Sequence, residues 1–128
     1  MFFVQFKRFF LSKVLPRPNV MELILMSDAK ELHKEKQGIY FLKDKLINNH
    51  PYWEQQNGTN ALWFQKFYGW MVGPKTNLGH DIGGIIGPKG IDRSPTKIVN
   101  GWKYAANGLW KDAASSEIMI KDLSPGML

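Results

Sequence analysis

"PYWEQQNGTNALWF" (residues 51–64) places a tyrosine, two tryptophans and a phenylalanine around Asn57-Gly58. Asn-Gly is the favoured centre of a two-residue type I′ turn, because both central residues there need a positive φ. The stretch therefore reads as a hairpin, with "PYWEQ" folded back on "NALWF". A two-residue turn pairs Trp53 with Leu62 and Tyr52 with Trp63. Side chains alternate along a strand, so the two tryptophans then fall on opposite faces of the sheet. A longer loop over Gln56–Asn60 would shift that register.

The same punctuation recurs along the chain. "GIYFL" opens a strand at Gly38, "KLINNHPYW" turns at Asn48-Asn49, "KFYGWMVG" follows a turn at Tyr68-Gly69, and "GWKYA" and "LWKDA" flank Asn107-Gly108. Short aromatic and β-branched runs divided by such signals are the mark of hairpins. The expected fold is mainly β: a single small antiparallel meander or barrel-like sheet over residues 38–122, with a short N-terminal helix and a tail at 123–128. In the last hairpin the turn sets Ala106 opposite Leu109, Ala105 opposite Trp110, Tyr104 opposite Lys111 and Lys103 opposite Asp112. Lys103 and Asp112 then form a cross-strand ion pair on the face of Trp110. A register with Lys103 opposite Ala113 would contradict this.

Residues 27–37 read as a short polar helix or linker. Ser27 or Asp28 is placed to cap it, Glu31 to complete a capping box, and Gly38 to stop it. Its polarity points to a solvated element outside the core. Before it, residues 1–26 form a basic segment with apolar positions 2, 3, 6, 9, 10 and 14 at close to helical spacing, ended by Pro16 and Pro18. Its bases interrupt the apolar run, which fits a secretory signal poorly and an organelle transit peptide only slightly better. Met21 and Met26 are alternative start positions, with the preceding residues not native.

The net charge is +6 over 128 residues. Residues 1–21 hold Lys7, Arg8, Lys13 and Arg17 and no acid, which leaves 13 bases against 11 acids in the remainder. The expected folded part is thus nearly neutral, and a nucleic-acid partner loses its main support. No run of about 20 apolar residues is present to span a membrane. There is no cysteine, so no disulfide or thiolate metal site exists.

The chemistry-bearing motifs are weak. "GPKTNLGHDIGGIIGPKG" (73–90) is glycine-rich, with Lys75 and Lys89 each after Gly-Pro, but has neither a P-loop nor a dinucleotide-binding pattern. Its Ile82, Ile85 and Ile86 fit a strand or packed loop entered through tight turns. His80-Asp81 invites an acid–base or metal reading, yet the three histidines, 33, 50 and 80, show no ligand spacing. Ser94, Ser115, Ser116 and Ser124 have no nucleophile-elbow context. A sheet can place Glu54 and Asp112 near each other, but nothing marks them as a catalytic pair. No cofactor, metal site or catalytic residue is expected. Asn57-Gly58-Thr59 matches the N-glycosylation acceptor, which matters only on a secretory route, and the turn alone explains its Asn-Gly.

The strongest remaining signal is aromatic. Tyr52, Trp53, Trp63, Trp70, Trp102 and Trp110 are the candidate ligand-binding residues, since rings left outside a small sheet can stack on sugars or grip a peptide. Against this stands the tendency of a small sheet to fill its interior with large rings.

"NNHPYWEQQNGTNALWFQ", then "GWMVGPKTNLGHDIGGI", then a proline before "GWKYAANGLWKDA", resembles a small Trp-rich β module that recurs in multidomain and secreted proteins of invertebrates and protists. That module often carries Asn-Gly-x-Pro-x-Tyr near its start, where this chain has Asn48-Asn49-His50-Pro51-Tyr52-Trp53. The resemblance covers residues 38–113 and brings no settled activity or functional residues. It implies a binding or display role in an extracellular setting, whereas the lack of cysteine and of a clear signal peptide leans to the cytoplasm. The expected function is a non-catalytic recognition module for carbohydrate or a protein partner. The alternatives are a small hydrolase or transferase using the 73–90 loop with His80 and Asp81, and a structural or oligomerisation unit whose basic N-terminal segment meets a membrane surface or another subunit.

Overall fold

The computed structural model describes residues 17–124. The amphipathic helix expected near the N-terminus lies outside them. Nine antiparallel strands form one curled, half-barrel sheet. They are β1 (Val20–Leu25), β2 (Gly38–Ile47), β3 (His50–Gln55), β4 (Asn60–Gln65), β5 (Gly69–Pro74), β6 (Ile85–Ile86), β7 (Lys103–Ala106), β8 (Leu109–Asp112) and β9 (Ile118–Asp122). The spatial order is β8-β7-β6-β5-β4-β3-β2-β1-β9. From β1 to β8 this is a meander, as the turn signals require. The chain then crosses from one edge of the sheet to the other, where β9 pairs with β1.

The hairpin registers follow the turn chemistry. Trp53 faces Leu62 across β3 and β4, and Lys103 faces Asp112 across β7 and β8. Asn48, Asn49, Asn57 and Asn107 all adopt positive φ, between 52° and 66°, at the turns where they were expected. Lys103 Nζ lies 3.0 Å from Asp112 Oδ1, the anticipated cross-strand pair.

Two elements differ from expectation. The β domain starts at Val20, well before residue 38, because Met21, Leu23 and Leu25 are a buried row of β1. The helix α1 (Ser27–His33), extended by a 3-10 turn over Lys34–Lys36, is not a solvated linker: Ala29 and His33 are buried. Neither Ser27 nor Asp28 caps it; Ser27 has φ 55° and no side-chain cap bond forms. The cap comes from far along the chain, where Glu117 Oε2 accepts from Ala29 N at 3.1 Å.

That helix ties β1 to the opposite side of the sheet. Asp28 meets Lys111 of β8 at 3.3 Å, and His33 Nε2 lies 2.8 Å from Ala105 O of β7. The main core includes Met21, Leu23, Leu25, Tyr40, Trp53, Leu62, Trp70, Trp102, Tyr104 and Ile120. Its aromatic rings meet edge to face, Trp53 on Trp70 at 5.7 Å and Phe64 on Trp70 at 5.3 Å, the geometry the ring quadrupoles favour. A second, smaller core of Tyr52, Ala61, Trp63, Met71 and Ile86 forms with the opposite side-chain parity, packed by Ile47 and Leu78.

Candidate functional site

β8 is one edge of the sheet, hydrogen-bonded only to β7, and all four of its residues are exposed. Its geometry follows from the Asn107-Gly108 turn. In a two-residue hairpin the residues flanking the turn form a hydrogen-bonded pair, and every second residue after them repeats it. Leu109, Lys111 and Ala113 therefore bond inward to β7, the last by donating Ala113 N to Trp102 O at 3.0 Å. The N–H and C=O groups of Trp110 and Asp112 point away from the sheet.

The side chains along this edge alternate. Trp110, 40% exposed, lies on one face with Asp112, Ala105 and Lys103, and Leu109, 75% exposed, lies on the other with Lys111. The charges are already matched within the fold, Lys103 by Asp112 and Lys111 by Asp28. The edge thus offers main-chain bonding groups and two apolar side chains rather than net charge.

The other rings expected at a ligand surface are placed differently. Trp53, Trp70 and Trp102 are in the main core, and Tyr52 and Trp63 are in the smaller one. All four buried indoles donate Nε1 to a carbonyl: Trp53 to Pro18, Trp63 to His80, Trp70 to Arg93 and Trp102 to Ile98, at 2.8–3.0 Å. Their faces are occupied by packing, so of the six residues only Trp110 exposes its ring to solvent. No local signal separates them: Trp53 and Trp102 are each followed by a charged residue, Glu54 and Lys103, as Trp110 is by Lys111.

The 73–90 loop is a packed cover. Ile85 and Ile86 pair with Val72 and Met71, while Ile82 is exposed. A Cβ on Gly73 would lie 2.8 Å from Gly83 Cα, so the glycines let the loop press onto β5. His80 acts through its main-chain oxygen on Trp63, and the side chains of His80 and Asp81 are exposed. Glu54 and Asp112 lie on β3 and β8, with four strands between them, which rules out the paired-carboxylate arrangement. Glu54 instead sits between Lys75 and Lys43, at 3.8 and 3.9 Å. Asn57 is exposed in its turn.

Two histidine clusters escaped the sequence reading. His50 stacks on Phe64 with ring centres 4.2 Å apart. Its Nδ1 faces Asn48 O at 2.8 Å and its Nε2 faces Asp92 Oδ2 at 3.3 Å, so both ring nitrogens address acceptors. Arg17 donates to Asp92 O at 3.3 Å, pinning the same loop, and burial lowers its pKa against the opposing effect of Asp92. At the other cluster, His33 Nδ1 is buried without a partner against Gly84. Burial pushes the Tyr40, Tyr104 and Tyr52 phenols up. Among the described residues no group of three or more His, Asp or Glu side chains is arranged to hold a metal ion, and no helix is long and apolar enough to cross a membrane.

No protein-family model, curated protein or solved structure matches the chain.

Proposed function

We propose that this protein is a non-catalytic recognition module that takes an extended segment of a protein partner as an added strand beside β8. The observation that carries this is the outward-facing main chain of Trp110 and Asp112, flanked on its two faces by Trp110 and Leu109. Strand addition draws affinity from main-chain hydrogen bonds and specificity from alternating side-chain contacts. With the local charges matched internally, the favoured partner segment is uncharged at its centre, with a β-branched or aliphatic residue beside Trp110. The carbohydrate alternative has one exposed indole to work with, since the other five candidate rings are packed.

Trp110 is the only exposed tryptophan, so its emission reports directly on this edge. Selection of extended peptides from a displayed library against the full chain should yield binders that shift Trp110 emission to the blue. Methylating the peptide amides that face β8 should abolish binding, and Trp110→Ala should weaken it by more than tenfold. A glycan that shifts the emission while no peptide does so would replace this reading with the carbohydrate one.

A further inference from the structure

The chain contains three Asn-Gly pairs, at 57–58, 100–101 and 107–108. Glycine after asparagine leaves the following amide nitrogen open to attack the asparagine side chain, and the fold decides whether the main chain can bend to let it. At Gly58 the side-chain oxygen of Gln55 fills the space where a Cβ would stand. That amide is itself buried and held, Nε2 donating to Glu35 O and Gln37 O and Oε1 accepting from Asn60 N and Nδ2, all at 2.9–3.1 Å. Gly101 rests on the Pro88 ring, its Cβ position 3.1 Å from Pro88 Cβ and Cγ. Gly108 has no atom within 4 Å on that side.

Asn107 and Gly108 are both exposed, as are Asn100 and Gly101, but of these two pairs only Asn107-Gly108 is free of a neighbour at its glycine and closes a hairpin, one whose outer strand is exposed throughout. A segment with few buried contacts and solvent-facing main-chain bonds opens locally at small cost. We propose that Asn107 is a site of spontaneous deamidation that the fold leaves open, while it guards the other two Asn-Gly pairs.

The Gly108 nitrogen attacks the Asn107 side-chain carbonyl carbon, forming a C–N bond and losing its proton to solvent. Ammonia leaves with that proton's equivalent, and a five-membered succinimide remains. Water then opens the ring at either carbonyl, giving aspartate or isoaspartate at position 107 with no oxidant or reductant required. The isoaspartate form adds one carbon to the main chain inside a turn that has room for only two residues. The pairings of Ala106 with Leu109 and Ala105 with Trp110, which aim the β8 edge outward, depend on that turn.

The test is peptide mapping by mass spectrometry after prolonged incubation of the full chain at neutral pH and 37 °C. Isoaspartate is scored separately with an isoaspartate-specific carboxyl methyltransferase as probe. In the folded protein, modification at position 107 should exceed that at 57 and 100 several-fold, and in urea the three positions should react at similar rates. Equal rates in the folded chain, a faster reaction at 57 or 100, or no reaction at 107 while the urea-unfolded chain reacts to completion would each overturn the proposal. Gln55→Ala supplies the converse: removing the side chain beneath Gly58 should raise the rate at Asn57 towards that at Asn107, and an unchanged rate would show that local packing does not control the reaction.

Discussion

The buried carboxylate of Glu117 accepts a hydrogen bond from Ala29 N at 3.1 Å, joining residues 88 positions apart. The same oxygen accepts from the Tyr104 hydroxyl at 3.2 Å, and its partner oxygen accepts from Ala114 N at 3.0 Å. One side chain thus caps α1, anchors β7 and shapes the turn into β9. Helix amides near an N-terminus have no intrahelical acceptor, so the carboxylate meets both a bonding need and the positive end of the helix.

Glu117→Ala should therefore cost about 2–4 kcal/mol of unfolding free energy, because it strands the Ala29 amide and the Tyr104 hydroxyl in the interior. Glu117→Gln should cost less, since it keeps one acceptor oxygen. Urea unfolding gives the free energies, and hydrogen exchange at the Ala29 amide should quicken in both variants.

Gly84→Ala tests how closely α1 must approach the sheet. A Cβ there would lie 2.8 Å from His33 Cε1 and 2.9 Å from Lys36 Cε. Relief requires moving the helix and breaking the contact between His33 Nε2 and Ala105 O, at a cost of about 1–3 kcal/mol. Combined with His33→Ala, the loss should fall short of the sum of the single losses, because one variant removes the other's clash. A double-mutant cycle by thermal or urea unfolding measures this.

Stability should decline in alkali. Tyr40 is buried and donates to Lys36 O at 2.6 Å, and burial raises its pKa, as it does for Tyr104. Unfolded tyrosine ionises near pH ~10. Since the folded state holds the protonated form more tightly, this contribution is complete below about pH 10 and is lost as pH rises above it. Tyrosinate absorbance and loss of tertiary signal should rise together; tyrosinate forming at Tyr40 in a still-folded chain would contradict this.

Tryptophan substitutions should separate core from edge. Trp53→Ala removes a fully buried ring and the bond to Pro18 O, and should cost about 3–5 kcal/mol. Trp110→Ala should stay within about 1 kcal/mol, since the ring is at an exposed edge. Comparable losses at the two positions would place Trp110 in a packed environment.

Truncation before Ser27 should abolish cooperative unfolding. It deletes β1, takes Met21, Leu23 and Leu25 from the core and leaves β2 and β9 without their shared partner. A sigmoidal urea transition with the native amplitude from the truncated chain would contradict the role given to β1.

The sequence by itself determined the hairpins. Asn-Gly and Asn-Asn turns impose local backbone geometry, and a two-residue turn dictates strand register without reference to anything distant. That is why Trp53 with Leu62 and Lys103 with Asp112 were legible from residues 51–64 and 101–113. β1 and β9 were not, because no tight turn joins "VMELIL" to "IMIKD": β9 pairs with β1 alone, from the other end of the described chain, and β1 lies between β9 and β2. The helix looked solvated because its cap lies at Glu117 and its buried face consists of Ala29 and a histidine. Which tryptophans are core was equally a tertiary matter. Alternation put Trp53 and Trp63 on opposite faces, but only the folding of the glycine loop onto β5 covered the second face, leaving Trp110 on the open edge of β8.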